Sequence, residues 1–189
     1  MPNKNFILAS GSPRRQQFFK DFGIPFTICV KEVNEVYPPH LQAHEITTYL
    51  AELKASVFTD LNENDVVITS DTLVWHQNKA LGKPKDTTEA FAMLQALANN
   101  THQVITSVCF KTLAKTETIY EVTEVTFGAL TPEMINYYIK NYNPLDKAGA
   151  YGIQEWIGEV GIVKINGSYT NVVGLPVSRV YQFIHENYL

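Results

Sequence analysis

The sequence predicts a mixed α/β fold, and two observations lead to that class. Short apolar runs typical of strands alternate with amphipathic segments typical of helices along the first half of the chain. Two long β-rich runs then follow each other directly, at 102–113 and 117–127. A purely doubly wound fold places a helix after each strand, so these adjacent runs favour a mixed sheet.

The elements of the first half are marked by periodicity and by helix-start signals. Their predicted order is a strand at 5–9, a helix to residue 21, a strand at 26–33, a helix with an apolar stripe from 46 to 61, a strand at 65–74 and a helix from 86. Ser12 and Pro13 supply an N-cap and a proline at the first helical position. Asp86 and Glu89 form a capping-box pattern, with a turn predicted before them at 77–79.

The second half continues the pattern and closes one domain. After the two long strands, Thr131 and Pro132 cap a helix, a glycine-dotted stretch covers 149–161, a strand lies at 162–165, and a last helix starts near Pro176. The chain has 189 residues, 45% of them hydrophobic. This is enough to bury a substantial core, so a single domain over 1–189 is the simplest organisation.

Composition excludes several classes of protein. The net charge of -4 and pI near 5.7 argue against a protein that coats nucleic acid polymers. The sequence lacks a signal peptide and any apolar run of membrane-spanning length, which predicts a cytoplasmic protein without a membrane partner. Cys29 and Cys109 lie in apolar runs and are expected to be buried and reduced, and the five histidines show no metal-binding spacing.

The stretch "LASGSPRR" lies where the first strand ends and the first helix begins. Helix N-termini bind phosphate through unpaired N–H groups and the helix dipole. The hydroxyl of Ser10 and the planar guanidinium groups of Arg14 and Arg15 suit phosphate oxygens. The alternative is an ordinary capped helix with solvent-facing arginines. Neither G-x-G-x-x-G nor a complete Walker motif is present.

Two carboxylates are candidates for catalysis or metal binding. Asp71 interrupts the apolar strand "VVITSDTLVW", where a carboxylate is rarely buried without a partner, a metal or a catalytic task. The alternative is a bulge or a strand end that exposes Asp71. Glu35 lies in a loop and is of interest as a second ligand, because two carboxylates and phosphate oxygens suit a magnesium-type ion.

Two lysines and one glutamine complete the candidate site. Lys54 lies beside the apolar stripe of its helix, and Lys83 lies in "LGKPKD"; each is a possible phosphate ligand, and each has the alternative of a solvated surface lysine. Gln154 in "DKAGAYGIQE" offers a donor and an acceptor that can orient water or read a base edge. The alternative is a glycine-rich corner with Tyr151 in the core.

The chain resembles a known family at five places in order. "LASGSPRR", "SDTLVW" with "LGKPKD", "THQVITSV", "DKAGAYGIQ" and "NGSYTNVVGLP" are similar to the signature blocks of the Maf family of nucleoside triphosphate pyrophosphatases. The resemblance implies an elongated mixed β-sheet flanked by helices, with two lobes and a cleft, similar to inosine triphosphate pyrophosphatases. It also implies hydrolysis of a nucleoside triphosphate to monophosphate and pyrophosphate with a divalent cation, Mg or Mn, in a homodimer.

The resemblance also implies a role for each candidate residue. Asp71 matches the catalytic aspartate and is a metal ligand together with Glu35. The phosphate-binding positions are Ser10, Arg14, Arg15, Lys54 and Lys83. Thr72 and Gln154 are selectivity residues, and the blocks that carry them are similar to the branch acting on dTTP and UTP. Glu155 and Trp156 depart from the family pattern, which usually continues with glycine, and this departure concerns the base-side loop.

Two other functions are compatible with the resemblance. One is a nucleotide-binding regulator of septum formation without significant turnover. The other is removal of inosine or xanthosine triphosphates, although the blocks resemble that sister family less closely. A sensor needs no water-activating carboxylate, so the set of acids and lysines favours an enzyme.

Overall fold

The structure, a computed structural model, describes residues 4–189 and contains a mixed β-sheet. Its strands are β1 (Asn5–Leu8), β2 (Phe26–Ile28), β3 (Asp65–His76), β4 (Lys79–Leu81), β5 (Thr101–Lys111), β6 (Thr116–Phe127) and β7 (Ile162–Asn166). The sheet order is β2-β1-β3-β5-β6-β7, with β4 paired to β3. β1 is parallel to β2 and β3, whereas the β3–β4 and β6–β7 pairs are antiparallel. The predicted mixed α/β class is confirmed.

The α-helices of residues 4–189 are seven in number, and three of them begin at capping residues that the sequence marks. They are α1 (Pro13–Asp21), α2 (His44–Ser56), α3 (Thr87–Leu97), α4 (Pro132–Tyr142), α5 (Trp156–Gly161), α6 (Tyr169–Val173) and α7 (Val177–Tyr188), with short 3₁₀ turns at Pro144–Asp146 and Ala148–Ala150. The side chains of Ser12, Asp86 and Thr131 each accept a hydrogen bond from a backbone N–H of the first turn of α1, α3 and α4. Within residues 4–189, no helix combines the length and apolar character that crossing a membrane requires.

The chain forms two compact units. The first contains the described residues up to Asp71 together with 106–121 and 174–189, and the second contains 72–105 and 122–173. The strands β3, β5 and β6 therefore each contribute residues to both units.

Each unit has its own hydrophobic core. In the first unit, Phe19 of α1 and Ile184 of α7 are buried with side chains from β1, β3 and β5. In the second unit, Leu94 of α3 and Tyr138 of α4 are buried with Phe127 of β6. These amphipathic helices bury their apolar faces within their own units, as their periodicity predicts.

Two sequence predictions about the first unit are wrong. The strand predicted at 26–33 ends at Ile28. Its neighbour β1 ends at Leu8, which pairs with Ile28, so β1 has no further residue with which the chain after Ile28 could pair. Cys29 consequently lies beyond the sheet and is exposed, although Cys109 is buried as predicted.

The second helix is also shorter than its apolar stripe predicts. α2 ends at Ser56, before Leu61. This end is capped by the ammonium of Lys111, which donates to the carbonyls of Ala55 and Ser56, and by the backbone N–H of Phe58, which also donates to the carbonyl of Ala55.

Candidate active site

Three of the candidate side chains meet in the first unit. Lys54 lies in the last turn of α2, and its Nζ is 2.7 Å from Oδ1 of Asp71 and 3.2 Å from Oε2 of Glu35. Asp71 lies on β3, and Glu35 lies in the loop that follows β2. One ammonium therefore holds the two carboxylates together. The sequence had suggested these carboxylates as a pair of metal ligands, but it had suggested Lys54 only as a phosphate ligand.

Asp71 lies in the interior of a buried strand. Residues 65–71 of β3 are all buried, and the side chain of Asp71 is 12% exposed. The alternative of an exposed Asp71 at a strand end is wrong. A carboxylate at such a position loses most of its hydration, and the ion pair with Lys54 offsets that loss.

The turn between β1 and α1 is held by local hydrogen bonds. Ser10 is buried; its Oγ accepts the backbone N–H of Ser12 at 3.3 Å, and its carbonyl accepts the side-chain amide of Gln16 at 3.0 Å. The turn therefore has a fixed conformation at the N-terminus of α1, where phosphate binding is favoured.

Arg15 connects this turn to the strand that carries the aspartate. Its Nε donates to the carbonyl of Gly174 at 2.8 Å and its Nη1 to the carbonyl of Ser70 at 3.2 Å. Burial lowers the pKa of Arg15, while the charges of Asp71 and Glu35 act in the opposite direction. Arg14 and Arg15 are both half-buried, so the alternative of fully solvent-facing arginines is wrong.

The remaining candidates belong to the second unit. Thr72 follows Asp71 on β3 and is half-buried, whereas Lys83 is exposed in the segment after β4. Gln154 is exposed as well, although the three residues before it, 151–153, are buried. The buried residues 151–153 therefore hold the backbone in place, and the side-chain amide of Gln154 is exposed to solvent.

Sequence reasoning missed a charged cluster next to Gln154. Lys147 is buried, and its Nζ is 3.2 Å from Oε1 of Glu155. Tyr138 of α4 donates its hydroxyl to the same carboxylate. The sequence contained one indication of this cluster, the lysine within the glycine-rich run "DKAGAYGIQE". It contained no indication of Tyr138, because this residue fits the apolar stripe of its helix.

The chemistry of the two carboxylates suits a divalent cation. Among residues 4–189, no group of three or more His, Cys, Asp or Glu side chains could hold a metal ion alone. Asp71 and Glu35 nevertheless share the ammonium of Lys54. Mg²⁺ is typically bound by one or two carboxylates together with substrate phosphates and water, and this pair meets that requirement.

Solved structures define the class of the fold. The chain is similar to the Ham1 protein of Staphylococcus aureus, with a TM-score of 0.55, 13% identity and coverage of 97% of this chain and 99% of the other. A Ham1 protein from Coxiella burnetii gives a TM-score of 0.52 at 14% identity, with the same coverage. At this identity the likeness concerns the fold alone, and it confirms the mixed β-sheet flanked by helices that the sequence blocks implied.

The family follows from sequence comparison. Residues 5–187 match the family described as Maf-like protein, and the chain therefore belongs to the Maf family. A relative from Flavobacterium psychrophilum is 62% identical over 96% of this chain and 94% of its own length, and one from Flavobacterium johnsoniae is 60% identical over 94% and 92%. A third, from Christiangramia forsetii, is 52% identical over 98% and 95%. Each of these curated relatives is named dTTP/UTP pyrophosphatase.

Proposed function

We propose that this chain is a nucleoside triphosphate pyrophosphatase, which hydrolyses dTTP and UTP to the nucleoside monophosphate and pyrophosphate and so removes them from the nucleotide pool. The observation that carries the proposal is the pairing of Lys54 in the first unit with two carboxylates, those of the buried Asp71 and the exposed Glu35. The names of the three relatives support the same reaction and substrates.

Asp71 is the proposed catalytic residue. Its carboxylate orients a water molecule and accepts its proton as the water oxygen attacks the α-phosphorus. The bond from the α-phosphorus to the bridging oxygen of the β-phosphate breaks, and pyrophosphate leaves with the electron pair. Lys54 holds Asp71 in place, because its ammonium is 2.7 Å from Oδ1.

The cationic side chains offset the charge of the triphosphate. Because the chain carries a net charge of -4, local basic groups have to supply this function. We assign it to Arg14, Arg15, Lys54 and Lys83, with the hydroxyl of Ser10 as a further phosphate ligand. Arg15 and Lys54 are already oriented in the first unit by the contacts described above.

A divalent cation, Mg or Mn, is the proposed cofactor. Asp71 and Glu35 would hold it, since their carboxylates converge on the same ammonium. When bound, such an ion neutralises charge on the phosphate oxygens.

Thr72 and Gln154 are the proposed selectivity residues. The amide of Gln154 has one donor group and one acceptor, which match the N–H and carbonyl groups on the edge of thymine or uracil. A site that pairs these groups leaves them unpaired against a different base, and this disfavours the wrong substrate.

We further propose that 1–189 act as one domain, in the cytoplasm and as a homodimer, without a nucleic acid polymer or a membrane as partner. The continuous family match over 5–187 supports a single domain, because it includes residues of both units. The net negative charge supports a small-molecule substrate over nucleic acid polymers.

The proposal is tested by quantifying both products from a panel of triphosphates. The wild-type protein is expected to release pyrophosphate and monophosphate from dTTP and UTP much faster than from ATP, GTP, CTP or 7-methyl-GTP. A purine preference would contradict the base assignment alone. Nucleotide binding without turnover would favour the septum regulator instead.

The same assay tests Asp71. Asp71→Asn keeps an oxygen for Lys54 but removes the proton acceptor, so kcat should fall by about a hundredfold or more with the fold retained. Asp60→Asn, at an exposed position after α2, is the matched control and should leave kcat unchanged. An Asp71→Asn protein with wild-type kcat would remove Asp71 from the mechanism.

A further inference from the structure

Glu155 lies at the centre of a hydrogen-bonded network within the second unit. Its Oε1 is 3.2 Å from Nζ of Lys147, and its Oε2 accepts the hydroxyl of Tyr138. The same hydroxyl accepts the backbone N–H of Gly152 at 3.0 Å, and Lys147 also contacts Oδ1 of Asp146 at 2.7 Å. The carboxylate of Glu155 is thereby tied to helix α4 and, through Tyr138, to the backbone of Gly152.

The network is largely removed from water. Tyr138 is fully buried, and the side chains of Lys147 and Glu155 are 9% and 19% exposed. Burial and the hydrogen bond to Glu155 raise the pKa of Tyr138, which keeps its hydroxyl protonated as a donor. Removing the charge of Glu155 would leave the buried Lys147 with Asp146, whose side chain is 62% exposed.

This network includes both ends of the backbone turn that contains Gln154. The N–H of Glu155 donates to the carbonyl of Gly152 at 3.0 Å, closing a tight turn. A Cβ built on Gly152 would lie 2.9 Å from Cδ of Glu155 and 3.1 Å from Nε2 of Gln154. Both side chains therefore pack over the same glycine, and Gln154 lies within the turn that the hydrogen bond from Glu155 to Gly152 closes, so a change in that turn would move the amide.

We propose that Glu155 is a positioning residue for base recognition, which fixes the direction of the Gln154 amide through Tyr138, Lys147 and the turn at Gly152. The inference rests on the proposed function, because it assigns Gln154 to the base. A primary amide distinguishes the edge of uracil or thymine from that of a purine only when its donor and acceptor have a fixed orientation. An amide free to rotate or shift would lose this discrimination.

The first test replaces the carboxylate with its uncharged isostere. Glu155→Gln should raise KM for dTTP by roughly tenfold, with kcat close to that of the wild type, and lower the preference for dTTP over GTP by a similar factor. Glu159→Gln, an exposed glutamate on α5, is the matched control and should leave both values unchanged. Uniform loss of kcat on every base, without a change in preference, would overturn the proposal.

The second test removes the hydroxyl that joins Glu155 to Gly152. Tyr138→Phe should reduce base preference in the same way, and the double variant with Glu155→Gln should be no worse than the more affected single variant. Tyr142→Phe removes a hydroxyl one turn along α4 and retains the ring that stacks on Tyr138, 5.2 Å between centroids, so it serves as the control. Additive effects of the two changes would contradict a shared network.

Binding measurements separate this inference from the proposed function. Calorimetric titration with dTMP and GMP measures the affinity for each base in the absence of turnover. Glu155→Gln should lose roughly tenfold in affinity for dTMP relative to GMP, whether or not the wild type releases pyrophosphate. Wild-type protein that binds dTMP selectively but hydrolyses nothing would overturn the proposed function only. Unchanged nucleotide discrimination in either folded variant would overturn the role of Glu155.

Discussion

Arg15, which we propose as a phosphate ligand, also has a structural role. Its guanidinium donates to two carbonyls, those of Ser70 on β3 and Gly174 before α7. These groups lie on segments far apart in sequence, and the planar fork of arginine reaches both at once. Its neighbour in the sequence, Arg14, starts the same helix, so the pattern "PRR" alone did not distinguish the two roles.

We predict that Arg15→Lys lowers the free energy of unfolding by about 2 kcal/mol, because lysine lacks the planar fork through which Nε and Nη1 reach the carbonyls of Gly174 and Ser70, and one carbonyl is left poorly paired. Urea denaturation of the purified variant provides the measurement. Arg179→Lys is the matched control, since Arg179 is exposed and donates to the single carbonyl of Tyr120. Equal losses in both variants would show that the bridge made by Arg15 contributes nothing specific.

Individual residues of the site were partly predictable from sequence. A carboxylate inside an apolar strand requires a partner, and this singled out Asp71. The identity of the partner was not predictable, because Lys54 lies 17 residues away and meets Asp71 only after α2 packs beside β3. Glu155 was visible as a departure from the family pattern, but its contacts with Lys147 and Tyr138 depend on the fold of the second unit.

At the scale of elements, the largest error concerns the glycine-dotted stretch 149–161. The sequence predicted no helix in this stretch, yet residues Trp156–Gly161 form α5. A Cβ on Gly158 would lie 1.9 Å from the carbonyl oxygen of Ile153. This glycine is thus required for close approach of two backbones at the start of the helix, and composition alone does not distinguish that use from a flexible loop.

Gly158→Ala should therefore destabilise the protein by about 2 kcal/mol or more, because the backbone carbonyl of Ile153 cannot move aside as a flexible side chain would. Thermal denaturation monitored by circular dichroism reads the effect. At Gly82, an added Cβ meets nothing within 4 Å, so Gly82→Ala is the control. If the two alanine variants had the same Tm, the close approach at Gly158 would have no energetic consequence.

Strand β4 is a second element that the sequence analysis did not predict fully. The turn predicted at 77–79 is present, and Gln77 and Asn78 both have positive φ, 48° and 58°, as two-residue hairpin turns require. The strand that follows, Lys79–Leu81, was not predicted. It is only three residues long and leads into the glycine and proline of "LGKPKD", which indicated a loop.

For the whole molecule, the two long adjacent β-rich runs correctly predicted a mixed α/β fold, but they did not predict the division of the chain into two compact units. β5 is buried along nearly its whole length, whereas β6 is half-buried or exposed at its start and more buried at its end. Each strand passes from one unit to the other, at residues 105–106 and 121–122. Because a strand keeps the same periodicity across such a boundary, its sequence cannot mark where one core ends and the next begins.

Overall stability should depend on a buried histidine in the second unit. His102 is 2% exposed, stacks on Phe127 at 5.7 Å between ring centroids, and its Nε2 lies 2.7 Å from the hydroxyl of Tyr151. Burial, together with the neighbouring His76, lowers the pKa of His102 to about 3. The native protein thus keeps this imidazole neutral throughout the pH range in which a histidine of the unfolded chain, with a pKa near 6.5, becomes charged.

This difference fixes the sign of the pH dependence. Below about pH 6.5 the unfolded chain binds a proton that native His102 refuses, so stability is lost progressively as the pH falls towards 3. The contribution of this residue at pH 5 is a loss of about 2 kcal/mol relative to pH 7.5. Urea denaturation at pH 7.5, 6 and 5 measures it. His102→Gln should flatten the slope, whereas His40→Gln, at an exposed loop position, should retain it. An unchanged slope in His102→Gln would mean that the buried imidazole does not control acid stability.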